Sequence, residues 1–171
     1  MPAPPSSPLV AVDANVLMDL GAESEAVKDA LATLRQRLGS PRIVITPTAK
    51  LELIHIARLG DTTEDRNLAM KAIAAARQAG IVPINLLPVG HGIVERVAEA
   101  LRAAGLIPAP EVNDSQLVVE AALMGARLLL SGDEHLRGVD FERLTIELQK
   151  FDLTAPVIAT PREIVRKFFL R

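Results

Sequence analysis

Four acidic residues stand where an acid needs a reason. Leu9-Val10-Ala11-Val12 is an unbroken apolar run bounded by Pro8, the pattern of a short strand buried on both faces, and it ends on Asp13. The aliphatic run from Ala126 to Leu130 delivers Ser131-Gly132-Asp133-Glu134 at its carboxyl end in the same way. Glu52 sits among Leu51, Leu53, Ile54, Ile56 and Ala57 on a largely apolar helical segment. Asp114 precedes Leu117 and Val118 by three and four residues, which places it along an apolar stripe. Burying a bare carboxylate is costly, so each of these acids is exposed, capping a helix, paired or metal-bound. Helix capping is the plain alternative for Asp13, and for Asn113 or Asp114. Simple exposure is the plain alternative for Glu52.

The chemistry follows if the two strands are neighbours, because their carboxyl ends then lie within several ångströms of each other. Ligands of open α/β sheets collect at such ends. Carboxylates gathered there with no basic partner cannot all stay ionised unaided. A hard divalent cation, Mg²⁺ or Mn²⁺, is the natural neutraliser, since it takes oxygen ligands. Such an ion lowers the pKa of a bound water and offsets charge developing on a phosphoryl group, which points to phosphodiester hydrolysis.

The elements that must position these acids can be read from periodicity and punctuation. After the first strand, a short helix runs from Ala14 to Leu20, and a second runs from Glu23 to Leu38, before Gly39. Arg42 to Thr46 is a β-branched strand, and Pro47 opens a helix reaching Leu59-Gly60. Asp61 starts an Ala-rich helix to Ala79. Ile81 to Ile84 reads as a strand whose Pro83 suits a sheet edge. Val94 to Leu101 marks a helix, Leu106 to Val112 a loop, and Asn113-Asp114 the start of a helix ending near Gly125. Leu144 to Leu148 reads as a weak strand or a helix end, Pro156 to Ala159 as a last strand, and Arg162 to Leu170 as a closing helix. This alternation predicts a three-layer α/β/α fold with a mostly parallel central sheet, as one domain over residues 9–171 behind a disordered tail, 1–8.

Composition narrows the function classes. The chain has 171 residues, 49% of them hydrophobic, and a mean hydropathy of +0.26, enough for a sizeable core. It has no Trp or Tyr and only four Phe, which argues against stacking bases on aromatic platforms. With no Cys, thiolate nucleophiles and thiolate zinc sites are excluded. The Pro/Ser/Ala-rich start lacks the pattern of a signal peptide. No apolar run reaches the roughly 18 residues of a membrane helix. A cytoplasmic protein without membrane contact is the expectation. Nineteen basic residues against 21 acidic ones leave a net charge of −2, so any nucleic-acid contact must come from a local patch.

Asp13-Ala14-Asn15 after its strand, Glu52 within Thr48-Ala49-Lys50-Leu51-Glu52-Leu53, and Asn113-Asp114-Ser115 opening a helix together resemble the PIN domain pattern. Leu128-Leu129-Leu130-Ser131-Gly132-Asp133 and the closing Ala155-Pro156-Val157-Ile158-Ala159-Thr160-Pro161 resemble it too, so the likeness spans Leu9 to about Phe169. It implies a Mg²⁺- or Mn²⁺-dependent ribonuclease with Asp13, Glu52, Asp114 and Asp133 as its acidic metal site. Asn15 would orient Asp13 or a water, and Ser131 would hydrogen-bond near the metal-bound carboxylates. Many small members resemble VapC-type toxins, which cut RNA, are held inactive by a cognate antitoxin and often form homodimers. The stretch from Glu52 to Asp114 is longer than in the smallest of them. An RNA-processing nuclease and a non-catalytic scaffold of the same fold are the alternatives within the resemblance.

Other residues carry weaker signals. Glu134 and His135 read as solvated loop residues rather than metal or substrate contacts, and Glu111 as a spare acid of low rank. His55 lies one turn from Glu52 and reads as a surface residue. His91, in Val89-Gly90-His91-Gly92, fits neither a dinucleotide-binding nor a P-loop spacing. Arg58, Arg137, Arg162 and Arg166 are candidates for RNA backbone contacts. A phosphoacceptor receiver is excluded because the strand after Pro41 ends in Thr46-Pro47 and the next in Asn85. A haloacid-dehalogenase-like phosphatase is excluded because Asn15 stands where a second Asp is required.

Overall fold

A computed structural model describes residues 7–86 and 92–169. Most of the 1–8 tail and His91 lie outside the described residues. The element order is β1 (Leu9–Val12), α1 (Ala14–Gly21), α2 (Glu25–Arg37), β2 (Arg42–Ile45), α3 (Pro47–Leu59), α4 (Thr63–Gln78) and β3 (Val82–Pro83), then α5 (Ile93–Ala103), α6 (Val112–Leu123), β4 (Leu128–Leu130), α7 (Glu134–Arg137), α8 (Phe141–Gln149), β5 (Val157–Ala159) and α9 (Pro161–Phe169). The strands form one all-parallel sheet in the order β3-β2-β1-β4-β5, flanked by helices in the expected three-layer α/β/α arrangement. Its central strands are aliphatic because both faces are covered. Val10, Ala11, Val12, Leu129 and Leu130 have no exposed surface. Pro83 lies on the edge strand, where its missing N–H costs no ladder bond.

The strand order makes β1 the point where the chain changes direction across the sheet: β2 follows on one side, β4 on the other. Val12 pairs with Leu130, and the Asp13 N–H extends the ladder to the Leu130 carbonyl at 3.0 Å. The residues just after β1 and β4 are therefore side by side at the carboxyl edge, in the crevice where doubly wound sheets bind ligands.

Two features fix the helices around this crevice. Ala69, Ala72 and Ala76 give α4 a buried face of small side chains, and α1 packs against it. Contact is close enough that a Cβ on Gly21 would stand 2.6 Å from the Ala72 nitrogen. The second feature is Glu120, a carboxylate on α6 that is only 5% exposed. It accepts from the Thr48 N–H at 3.0 Å and the Thr48 hydroxyl at 2.8 Å, at the first turn of α3, with a further bond from the Thr46 side chain. Burial pushes its pKa up, and these donors pull it back. The free N–H groups of a helix N-terminus suit an anion, so Glu120 fastens α6, which carries Asp114, to α3, which carries Glu52.

Three expectations are corrected. Leu144 to Leu148 is not a strand but the C-terminal part of a helix, α8, whose Leu144 and Leu148 reach the core at helical spacing. The helix carrying Asp114 begins earlier, with Glu111 as its N-cap, so neither Asn113 nor Asp114 caps it. Glu134 and His135 belong to the short helix α7 rather than to a loop. Glu120→Ala strands three hydrogen-bond donors beside a small void. It is expected to lower unfolding stability by roughly 2–3 kcal/mol in a urea titration, with Glu120→Gln costing less.

Candidate metal centre

Asp13 enters the site because β1 ends there, and its carboxylate is 5% exposed. One oxygen, Oδ1, accepts from the Ala14 N–H at 2.6 Å and so caps α1. The other, Oδ2, accepts from the Ser131 hydroxyl at 2.7 Å and the Asn15 side-chain amide at 3.0 Å. Asn15 then turns its own carbonyl oxygen to the Gly132 N–H at 3.1 Å, and the Asp133 N–H donates to Ser131 Oγ at 3.1 Å. The turns after β1 and β4 are thus laced together around one buried carboxylate. Asp133 caps α7, its Oδ1 accepting from the His135 N–H at 2.7 Å and the Leu136 N–H at 3.2 Å. Both bonds fall on one oxygen, and among the described residues no hydrogen bond reaches Oδ2. The capping reading and the cluster reading hold together, because each cap uses only part of a carboxylate's accepting capacity.

The four acids of the sequence reading share one electrostatic environment. Burial is the largest cause of a raised pKa at Asp13, Glu52 and Asp114 alike. Asp133 raises all three further, and Asp13 adds to the shift at Glu52 and Asp114. Asp114 is pushed up to about 7, with Glu111 also raising it and His135 opposing. Glu52 is half-buried on α3 at one wall of a 590 Å³ groove shared with His55, Arg58, Asn113 and Gln116. His55 is exposed there, as a surface residue should be. A separate 710 Å³ apolar cleft between α2, β4–β5 and α9 includes none of these acids.

Two residues given little weight from the sequence, Glu111 and His135, stand close to Asp114. Among the described residues, the one set of three or more potential ligands lying within 4.8 Å of one another is Glu111, Asp114 and His135. His135 Nδ1 stands 3.8 Å from a Glu111 oxygen, 3.8 Å from Asp114 Oδ2 and 3.6 Å from Asp133 Oδ1. The available signal was spacing: Glu111 is three residues before Asp114, and His135 is two after Asp133. Neither Glu111 nor His135 stands on an apolar run that would have drawn attention to it. Glu120, a structural carboxylate, escaped for the opposite reason, hidden within the apolar stripe of α6.

The donors fit a divalent cation. Asp114 Oδ2 is shielded from solvent and accepts no hydrogen bond from the described residues, an arrangement that costs free energy unless something else satisfies it. Apart from His135 Nδ1, the remaining donors are carboxylate oxygens, the ligand type of hard divalent ions.

A family model for the PIN domain matches residues 10–142. A chain in the crystal structure of VapBC2 from Rickettsia felis, bound to a DNA fragment from its promoter, is 12% identical. The similarity covers 89% of this chain and 98% of that one, with a TM-score of 0.57, and shows a shared fold. No curated protein matches by sequence.

Without a divalent cation, the folded protein retains a proton on Asp114 up to about pH 7, whereas the unfolded chain releases it near 3.8. A raised carboxyl pKa favours folding at low pH, and that contribution disappears as pH rises through this window. Asp13 and Glu52 push the same way. In EDTA, the urea midpoint is expected to fall between pH 5 and pH 8. Added Mn²⁺ should raise it more at pH 8 than at pH 5, because metal binding releases the proton. A midpoint indifferent to both pH and metal would contradict this electrostatic picture.

Proposed function

The chain belongs to the PIN domain family, and from that premise we propose that it is a divalent-metal-dependent endoribonuclease, hydrolysing RNA phosphodiesters as the toxin of a VapBC-type pair. The observation that carries the reading is the orphaned Asp114 Oδ2 at the β1–β4 crevice, on a carboxyl whose pKa is raised by burial and by Asp133, Asp13 and Glu111 beside it. Asp13, Glu52, Asp114 and Asp133 would hold the Mg²⁺ or Mn²⁺. When bound, the ion supplies an activated water and offsets negative charge on the scissile phosphate.

The chain's own residues do the positioning. Ser131 and Asn15 fix Asp13 Oδ2 from two directions, so that carboxylate cannot swing away when a ligand or substrate displaces water. The bond from the Gly132 N–H to Asn15 holds the turn that bears Asp133 at the same edge. Second-row hydrogen bonds of this kind set ligand orientation and affinity. The groove along α3 leads from Glu52 past exposed Arg58, one of the cations suited to phosphate contact. The toxin role is supported by the shared fold with a chain of VapBC2, and it brings with it an antitoxin partner, a homodimer and a cytoplasmic setting. No helix among the described residues is long and apolar enough to cross a membrane.

Incubation of the purified protein with RNA and Mn²⁺ or Mg²⁺ should yield cleavage that EDTA abolishes. Asp13→Asn and Asp114→Asn should each reduce the rate at least about 100-fold, equivalent to several kcal/mol of lost charge stabilisation. Asn15→Ala should cost roughly 10–100-fold. Cleavage that survives both Asp substitutions, or that never appears with either metal, would refute the proposal.

A further inference from the structure

The acidic cluster has a nitrogen in it. His135 Nδ1 faces Glu111, Asp114 and Asp133 at 3.6–3.8 Å, too far for a hydrogen bond to any of them. Two ligands that each lie roughly 2.1 Å from one ion stand about 3 to about 4.2 Å apart, and these contacts fall within that interval. Asp114 Oδ2, the atom nearest the imidazole on that residue, is the buried oxygen left without a donor. The backbone aims the ring: Asp133 caps α7 and takes the His135 N–H, which brings the side chain back over the cluster. Glu111, the N-cap of α6, closes the third side without making a capping bond of its own.

We propose that His135 Nδ1, Glu111 and Asp114 Oδ2 form a mixed nitrogen–oxygen position in the metal centre, which selects a first-row transition ion over Mg²⁺. This rests on the reading of the acids as a metal site and adds the identity of the ion. The argument is one of ligand chemistry. Mg²⁺ keeps oxygen ligands and its waters, whereas imidazole binds first-row transition ions with affinity rising from Mn²⁺ through Fe²⁺ to Co²⁺. An all-carboxylate site discriminates among these ions less than one with an imidazole.

Direct binding of the metal alone tests this without reference to cleavage. Isothermal titration of the metal-free full chain with MgCl₂, MnCl₂ and CoCl₂ is expected to rank Mg²⁺ weakest and Co²⁺ tightest. Electron spin-echo measurements on the Mn²⁺ complex are expected to show modulation from a directly coordinated ¹⁴N. His135→Gln should remove that modulation and weaken Mn²⁺ and Co²⁺ by roughly 10–100-fold while changing Mg²⁺ far less. His135 is exposed, so this substitution leaves the core untouched, and circular dichroism verifies the fold. Glu111→Gln should weaken binding but keep the nitrogen signal. Mn²⁺ bound without nitrogen coupling, or with affinities unchanged in His135→Gln, overturns this inference and leaves the nuclease reading standing. Failure of the wild-type chain to bind any of the three ions overturns both.

Discussion

A carboxylate is forced out of water at the one place in the sheet where two neighbouring strands lead to opposite sides. Asp13 is 5% exposed, and burial first and Asp133 second make its charge harder to hold. Everything near it answers that cost. The Ala14 N–H, Ser131 and Asn15 donate to it, and Asn15 in turn holds Gly132, so both turns at the crevice are shaped by the need to satisfy one side chain. Hydrogen bonds to the charged form offset desolvation only in part, and Asp13 remains raised. Beyond it, Asp114 is left with a shielded oxygen and a pKa of about 7. The electrostatic cost left uncompensated is thus concentrated at the crevice.

The chain contains a second buried carboxylate that resolves the same problem differently. Glu120 is as buried as Asp13, yet it is met by Thr48 and Thr46 at a helix N-terminus. It fastens two helices and stays out of the crevice. The two acids differ in what surrounds them: Glu120 has its donors, whereas Asp114 Oδ2 has none among the described residues.

The fold was legible where the residues had one job. β1 and β4 are aliphatic throughout because they are covered on both faces, and their ends expose Asp13 and Asp133 to inspection. Parallel order and the three-layer arrangement follow from alternation alone. The failures have a common physical cause, which is that short or narrow elements carry little periodicity. α8 reaches the core mainly through Leu144 and Leu148 while Phe141 and Ile146 are exposed, so its apolar pattern does not look like a helix face. α7 has four residues, too few for any period, and His135 could be aimed only by a cap bond that exists in three dimensions. Glu111 was obscured because the α6 N-cap lies two residues before Asn113 and three before Asp114, the residues whose capping preferences mark a later start. Residue types singled out the acids, but the tightest grouping of possible ligands among the described residues depended on backbone turns.

The central claim is that the β1–β4 crevice binds a divalent cation through its carboxylates. It is tested most directly by anomalous diffraction from crystals soaked in Mn²⁺. The account predicts a peak in the crevice with oxygens of Asp13, Asp114 or Asp133 among its ligands, at roughly 2.0–2.4 Å. A Mn²⁺ peak only at a remote surface, or none at concentrations well above those that support cleavage, would contradict it.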